Sequence, residues 1–141
     1  MRRVLSLLML IAITAAACGG DSVFSLQEGD CFNDPSSFDQ VSEVDTVDCA
    51  EPHDNEVYLI SRYQGGGSYP GAAEMEQAAF TACLGAFEDF VGAPYETSRF
   101  DIAALWPSQE SWDEAGDRDI ICAVYDLTGV KVTGSIRGLA E

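Results

Sequence analysis

The sequence predicts an α+β domain, an antiparallel sheet packed against one long helix and held by two disulfides. Three observations carry that expectation. Ala72 to Val91 is a long proline-free run with apolar residues at helical spacing. Segments rich in β-branched and aromatic residues flank it on both sides. Five cysteines stand behind an export leader, a setting in which bridges are the default.

The leader comes first. Met1-Arg2-Arg3 is basic, and Val4 to Ala17 (VLSLLMLIAITAAA) carries no charge. Such a run is too short for a lasting transmembrane helix, which needs ~20 apolar residues. Residues 1–17 therefore read as a signal peptide. Cys18 follows small residues at the end of that leader, as in a bacterial lipobox, where the cysteine is lipid-modified and becomes the new N-terminus. Ala15 stands where a leucine is usual. The rival is A-x-A cleavage after Ala17, giving a freely secreted chain. Parity favours lipidation: of the five cysteines, removing Cys18 leaves an even four. Residues 18–22 are then a short tether, of at most ~14 Å between Cys18 and Val23. A domain of this size has a radius of gyration near ~14 Å, so it is expected to sit at the membrane surface.

Residues 23–141 form one domain. Val23 to Phe32 reads as a strand with a turn at Gly29-Asp30, and Asn33 to Gln40 as loop. Val41 to Cys49 alternates like a half-exposed strand, and Glu56 to Tyr63 (EVYLISRY) is a further strand. Gln64 to Ser68 is a flexible break. In the helix, Met75, Ala79, Cys83, Phe87 and Phe90 share one face, which Phe80 and Leu84 widen. Pro70 suits its start, and Gly92 then Pro94 stop it. Arg99 to Trp106 reads as a strand and Ser108 to Asp117 as loop. Asp119 to Leu127 and Val130 to Ile136 read as a hairpin turning at Thr128-Gly129.

Charge narrows the function classes. With 7 Lys plus Arg, 24 Asp plus Glu and one His, the net charge is -17. Losing Arg2 and Arg3 with the leader makes it 5 - 24 = -19. That surface repels nucleic acid and anionic lipid head groups, so no nucleic-acid partner is expected. No G-x-S-x-G, H-E-x-x-H, S-x-x-K or P-loop pattern occurs, and basic groups for phosphate handling are few. The expectation is a non-enzyme without cofactor, and abundant acids alone do not argue for a glycan hydrolase.

Cys31, Cys49, Cys83 and Cys122 allow three pairings. Cys31–Cys49 and Cys83–Cys122 are expected, the first across a local loop, the second pinning the helix to a central strand. The single histidine lies in Cys49-Ala50-Glu51-Pro52-His53-Asp54-Asn55-Glu56. A bridged Cys49 has no thiolate to act as a nucleophile, and Cys49-x-x-x-His53 lacks the further ligands of a zinc site. His53 thus reads as a turn residue bonded to backbone or carboxylate, with no metal assigned. Asp113, Glu114, Asp117 and Asp119 do not follow an EF-hand pattern, and Arg118 among them suggests a local ion pair. Trp106 and Trp112 read as loop anchors or, with His53, as a contact surface for a partner.

Laid out in this order, the chain resembles the septum formation domain family of actinobacterial membrane-linked proteins and lipoproteins. The resemblance rests on Gly29-Asp30-Cys31-Phe32, on Val47-Asp48-Cys49 with Pro52-His53 and Glu56-Val57, and on Tyr69-Pro70-Gly71. It continues through Cys83, Phe87, Val91-Gly92, Trp112, Gly116-Asp117-Arg118 and Cys122 to Thr133-Gly134-Ser135. It implies a link to division or envelope processes and a structural set of cysteines, and it supplies no catalytic residues. The combined expectation is a lipid-anchored extracytoplasmic domain on the cell membrane that binds another envelope or membrane protein. The competing readings are a small-ligand or cation-binding lipoprotein and, behind it, a glycan hydrolase.

Overall fold

The computed structural model describes residues 20–37 and 41–141. The leader, Cys18 and residues 38–40 lie outside them. Among the described residues the strands are β1 (Asp21–Ser22), β2 (Cys31–Asn33), β3 (Glu43–Val47), β4 (Asn55–Arg62), β5 (Phe100–Leu105) and β6 (Asp119–Asp126), with α1 (Ala72–Val91) between β4 and β5. They form one six-stranded sheet in the order β1-β3-β2-β4-β6-β5. Every neighbouring pair is antiparallel. The α+β class expected from the sequence is what is found.

The helix is amphipathic, and its buried side chains are Met75, Ala79, Cys83, Phe87, Phe90 and Val91. Gly92 adopts φ 85° and donates its N–H to the Glu88 carbonyl, a left-handed cap that glycine reaches without Cβ strain. Phe80 and Leu84 are 40% and 37% exposed, so they do not widen the buried face. Cys83 bonds Cys122 with their Cα atoms 5.3 Å apart, fixing the middle of α1 to the central strand β6. Beside it, the Tyr58 hydroxyl donates to the Cys83 carbonyl at 2.8 Å, its ring against Phe87 and Phe90.

The opposite face of the sheet carries a second, smaller core. A bulge at Tyr58 shifts the β4–β6 register between Val57 and Leu59. This places Tyr58 and Leu59 with the helix, and Val57 and Ile60 on the far face. There they meet Ile121 and Ala123, and Val23 and Leu26 fold over them.

Two of the expected strands, Val23 to Phe32 and Val130 to Ile136, are not formed as expected. Val23–Ser25 is a 3-10 turn, and only Cys31–Asn33 of that segment is extended. Ser22 Oγ accepts the Phe24 N–H at 3.3 Å, and the Asp30 carboxylate accepts that of Gln27 at 2.8 Å, so side chains satisfy groups a ladder would have used. Val130–Ile136 makes only an isolated bridge, His53 with Val132. The turn does form, Gly129 N–H donating to the Asp126 carbonyl at 2.9 Å. No edge of β6 is free to receive a returning strand, because β4 and β5 flank it on both sides. The expected loop at 108–117 contains a π-helical turn, Ser111–Ala115.

Candidate functional site

The Cys49–Glu56 stretch binds the C-terminal segment to the sheet. Cys49 is bridged to Cys31 of β2, Cα–Cα 5.3 Å. The Gly134 N–H donates to the Cys49 carbonyl at 2.6 Å. His53 and Val132 exchange both backbone hydrogen bonds at 2.9 Å. Glu56 is 3% exposed, and its two oxygens accept from Ser135 Oγ at 2.7 Å and the Ile136 N–H at 2.6 Å. Lys131 Nζ reaches Asp54 at 2.5 Å. Burial alone would raise the Asp54 carboxyl, but Lys131 and the Asp34 N–H outweigh it and hold the pKa below the ordinary carboxylate value. The result is a clasp in which separate chain pieces meet and close.

Its chemistry is structural. The ligand atoms of Cys31, Cys49 and Glu56 lie within 4.8 Å of one another, but the two sulfurs are bonded together and offer no thiolates. His53 is fully buried, with Nδ1 2.9 Å from the Glu51 carbonyl. A carbonyl only accepts, so Nδ1 carries the proton. Nε2 has no partner among the described residues.

The other candidate is an open groove of ≈ 1120 Å³ that takes in the far face of the sheet and reaches residues 69–72 at the start of α1. Its apolar floor includes Leu26, Ile60, Leu105 and Ile121, and Phe24 and Trp106 stand at its sides, 62% and 38% exposed. Beyond Trp106 the lining turns acidic, with Glu110, Glu114, Asp117 and Asp119. Among the described residues no Lys or Arg lines it. Asp119 pairs with Arg62 at 3.2 Å, and Asp117 accepts from Ser111 Oγ at 3.1 Å. The Glu110 and Glu114 carboxylates are exposed and have no hydrogen-bond or ion-pair partner among the described residues. An apolar trough with a one-signed rim is suited to holding a peptide segment.

With both places described, comparison with known proteins supplies the family. The septum formation family model matches residues 28–140. The chain belongs to the septum formation family. Two similar proteins, "Uncharacterized membrane protein MT3943" and "Uncharacterized membrane protein Rv3835", come from Mycobacterium tuberculosis strains CDC 1551 / Oshkosh and H37Rv. Each is 27% identical over 105 residues, covering 68% of this chain and 23% of the relative. The chain thus spans about a quarter of the length of these curated relatives. No solved structure gives a significant match.

Of the residues that carry the resemblance to the septum formation family, Cys31, Cys49, His53, Glu56, Gly134 and Ser135 belong to the clasp. The contact residues expected from the sequence separate. His53 and Trp112 are 0% and 2% exposed, so neither belongs to a contact surface, and Trp106 alone of the three lies on one. Trp112 is packed between Tyr63 and Tyr69 and donates from Nε1 to the Gly67 carbonyl at 3.1 Å. The ion pair expected of Arg118 is replaced by stacking. Its guanidinium lies 3.4 Å from the centre of the Trp112 ring and donates to the Trp112 carbonyl at 3.1 Å. Phe24 and Leu26 were not expected in any site. The only sequence signal for them is an apolar run directly after the polar start at Gly19 to Ser22. Cys18, the expected lipidation site, lies outside the described residues.

Proposed function

We propose that this chain is an extracytoplasmic interaction domain, lipid-anchored at Cys18, that binds an envelope or membrane protein near the bilayer in septation or a related envelope process. It acts by binding and not by catalysis, and without a cofactor. The observation that carries the reading is the open groove, with Phe24 and Trp106 exposed at its sides. An accessible apolar and aromatic patch of this kind marks binding surfaces in soluble domains. Membership of the septum formation family supports the process. The names of the mycobacterial relatives, both called membrane proteins, support the location. Among the described residues no helix is long and apolar enough to cross a membrane; the attachment in this reading is the lipid on Cys18.

The test is crosslinking in cells, with the full chain and a photoreactive residue scanned over its exposed positions. A specific envelope protein should be recovered. Cys18→Ser should abolish incorporation of a labelled fatty acid and release the chain from membranes. Failure to crosslink any envelope protein from any exposed face would sink the interaction reading, and retention of Cys18→Ser on membranes would sink the anchor.

A further inference from the structure

We propose that the groove takes a cationic amphipathic peptide segment, with apolar side chains seated on the sheet and Lys or Arg reaching the acidic rim. This rests on the interaction reading above and names the partner's chemistry. The floor selects apolar groups, since Ile60, Leu105 and Ile121 give it no charged side chain. The rim selects the sign. The Glu110 and Glu114 carboxylates are unpaired among the described residues, and no basic residue among those lining the groove there competes for them. Asp117 adds to the negative field along the same side, while Asp119 is paired with Arg62. A neutral apolar segment would leave those carboxylates unused, and an acidic one would be repelled by a chain of net charge -17.

Val23 and Phe24 line the groove, and they follow Cys18 by only a few residues. If Cys18 is anchored, this wall is held near the bilayer. A segment lying close to a membrane protein's point of emergence then reaches the groove without a long linker.

The experiment uses the full chain in nanodiscs of zwitterionic phosphatidylcholine, with empty nanodiscs as the blank. Three synthetic peptides of equal length are titrated: Leu/Lys amphipathic, Leu/Glu of the same apolar pattern, and Lys/Ser without apolar residues. Binding is read by calorimetry and by tryptophan emission, to which exposed Trp106 should respond and buried Trp112 should not. The Leu/Lys peptide should bind most tightly. Glu110→Gln/Glu114→Gln should weaken it about three- to tenfold and flatten its salt dependence. Trp106→Ala should weaken it about tenfold or more. The charge-pair variant alters only exposed side chains, so it tests the idea even if Trp106→Ala perturbs folding. Equal binding of the Leu/Glu or Lys/Ser peptide, or no response to either variant, would overturn the proposal. So would absence of binding, as when the chain's own residues outside the described structure fill the groove. An envelope protein crosslinked from another face, with the groove inert, would remove this proposal and leave the interaction reading standing.

Discussion

Glu56 is a carboxylate buried with both oxygens accepting hydrogen bonds from the C-terminal segment. Truncation would strand the Ile136 N–H in a buried place, where an unmet donor costs about 1–3 kcal/mol. Glu56→Ala is expected to lower unfolding stability by about 2–3 kcal/mol in urea titration, and Glu56→Gln, which keeps an acceptor, by clearly less. Equal losses would show that the space and not the acceptor matters. The tryptophans give a second contrast at this scale. Trp112→Ala should destabilise by about 3–5 kcal/mol, since it removes a buried ring and the seat of Arg118. Trp106→Ala should change stability by less than about 1 kcal/mol. The sequence did not separate the two rings, because Trp106 ends a strand and Trp112 stands in a polar loop, and neither place has a periodicity that fixes inside or outside. For His53 the pattern was more telling. A turn residue bonded to backbone was legible from Pro52-His53-Asp54-Asn55, whereas its complete burial depends on the distant Val132 and could not be read locally.

At the scale of elements, what was legible had a local cause. The helix followed from spacing alone, and its observed bounds Ala72–Val91 coincide with the expected run. The β4, β5 and β6 segments were found within a residue or so, since β-branched runs bounded by turn residues have few other uses. The far-face trough was not legible, because it is built from strands brought together by topology, with the bulge at Tyr58 deciding which side chains face it. The last strand failed for a related reason: its pattern was adequate, but sheet order had already filled both edges of β6. Both disulfide pairings were argued from element proximity, and both are present. With sequence separations of 18 and 39, the chain-entropy model gives about 3 kcal/mol for Cys31–Cys49 and about 4 kcal/mol for Cys83–Cys122. Replacing each pair by alanine should therefore lower stability in that order. Hydrogen exchange should show the difference in kind, with the first pair loosening the clasp and the second releasing α1 from β6. Uniform loss of protection in both variants would contradict a division of labour between the bridges.

For the whole molecule, charge and burial oppose one another as pH changes. Asp126 is held below the ordinary carboxylate range, first by hydrogen bonding from Thr128 and then, against the effect of burial, by Arg99. Asp54 is also lowered. A depressed folded-state pKa contributes stability above the unfolded value of about 4, and that contribution is lost as pH falls through the folded value. Tyrosines set the alkaline side. The Tyr95 hydroxyl donates to Asp101 at 2.6 Å, which pushes its pKa up to about 12, and burial raises Tyr58 further. A raised folded pKa contributes stability below about 10 that disappears as pH climbs through about 12. Across the middle, self-repulsion of a chain with net charge -17 grows as pH rises from its pI near 4.1. These effects together predict a melting temperature that rises as pH is lowered from 7 toward about 5, because repulsion falls while the low-pKa carboxylates remain ionised. Below about 4 it should drop as Asp54 and Asp126 protonate. Added salt should raise it at pH 7 and do much less near pH 4, since screening relieves only repulsion that is present. Thermal melts across pH at low and high salt would check this. A melting temperature independent of salt at pH 7 would mean that the acidic surface is already neutralised by its own geometry, and the rim of the groove would then lack the field needed to select a cation.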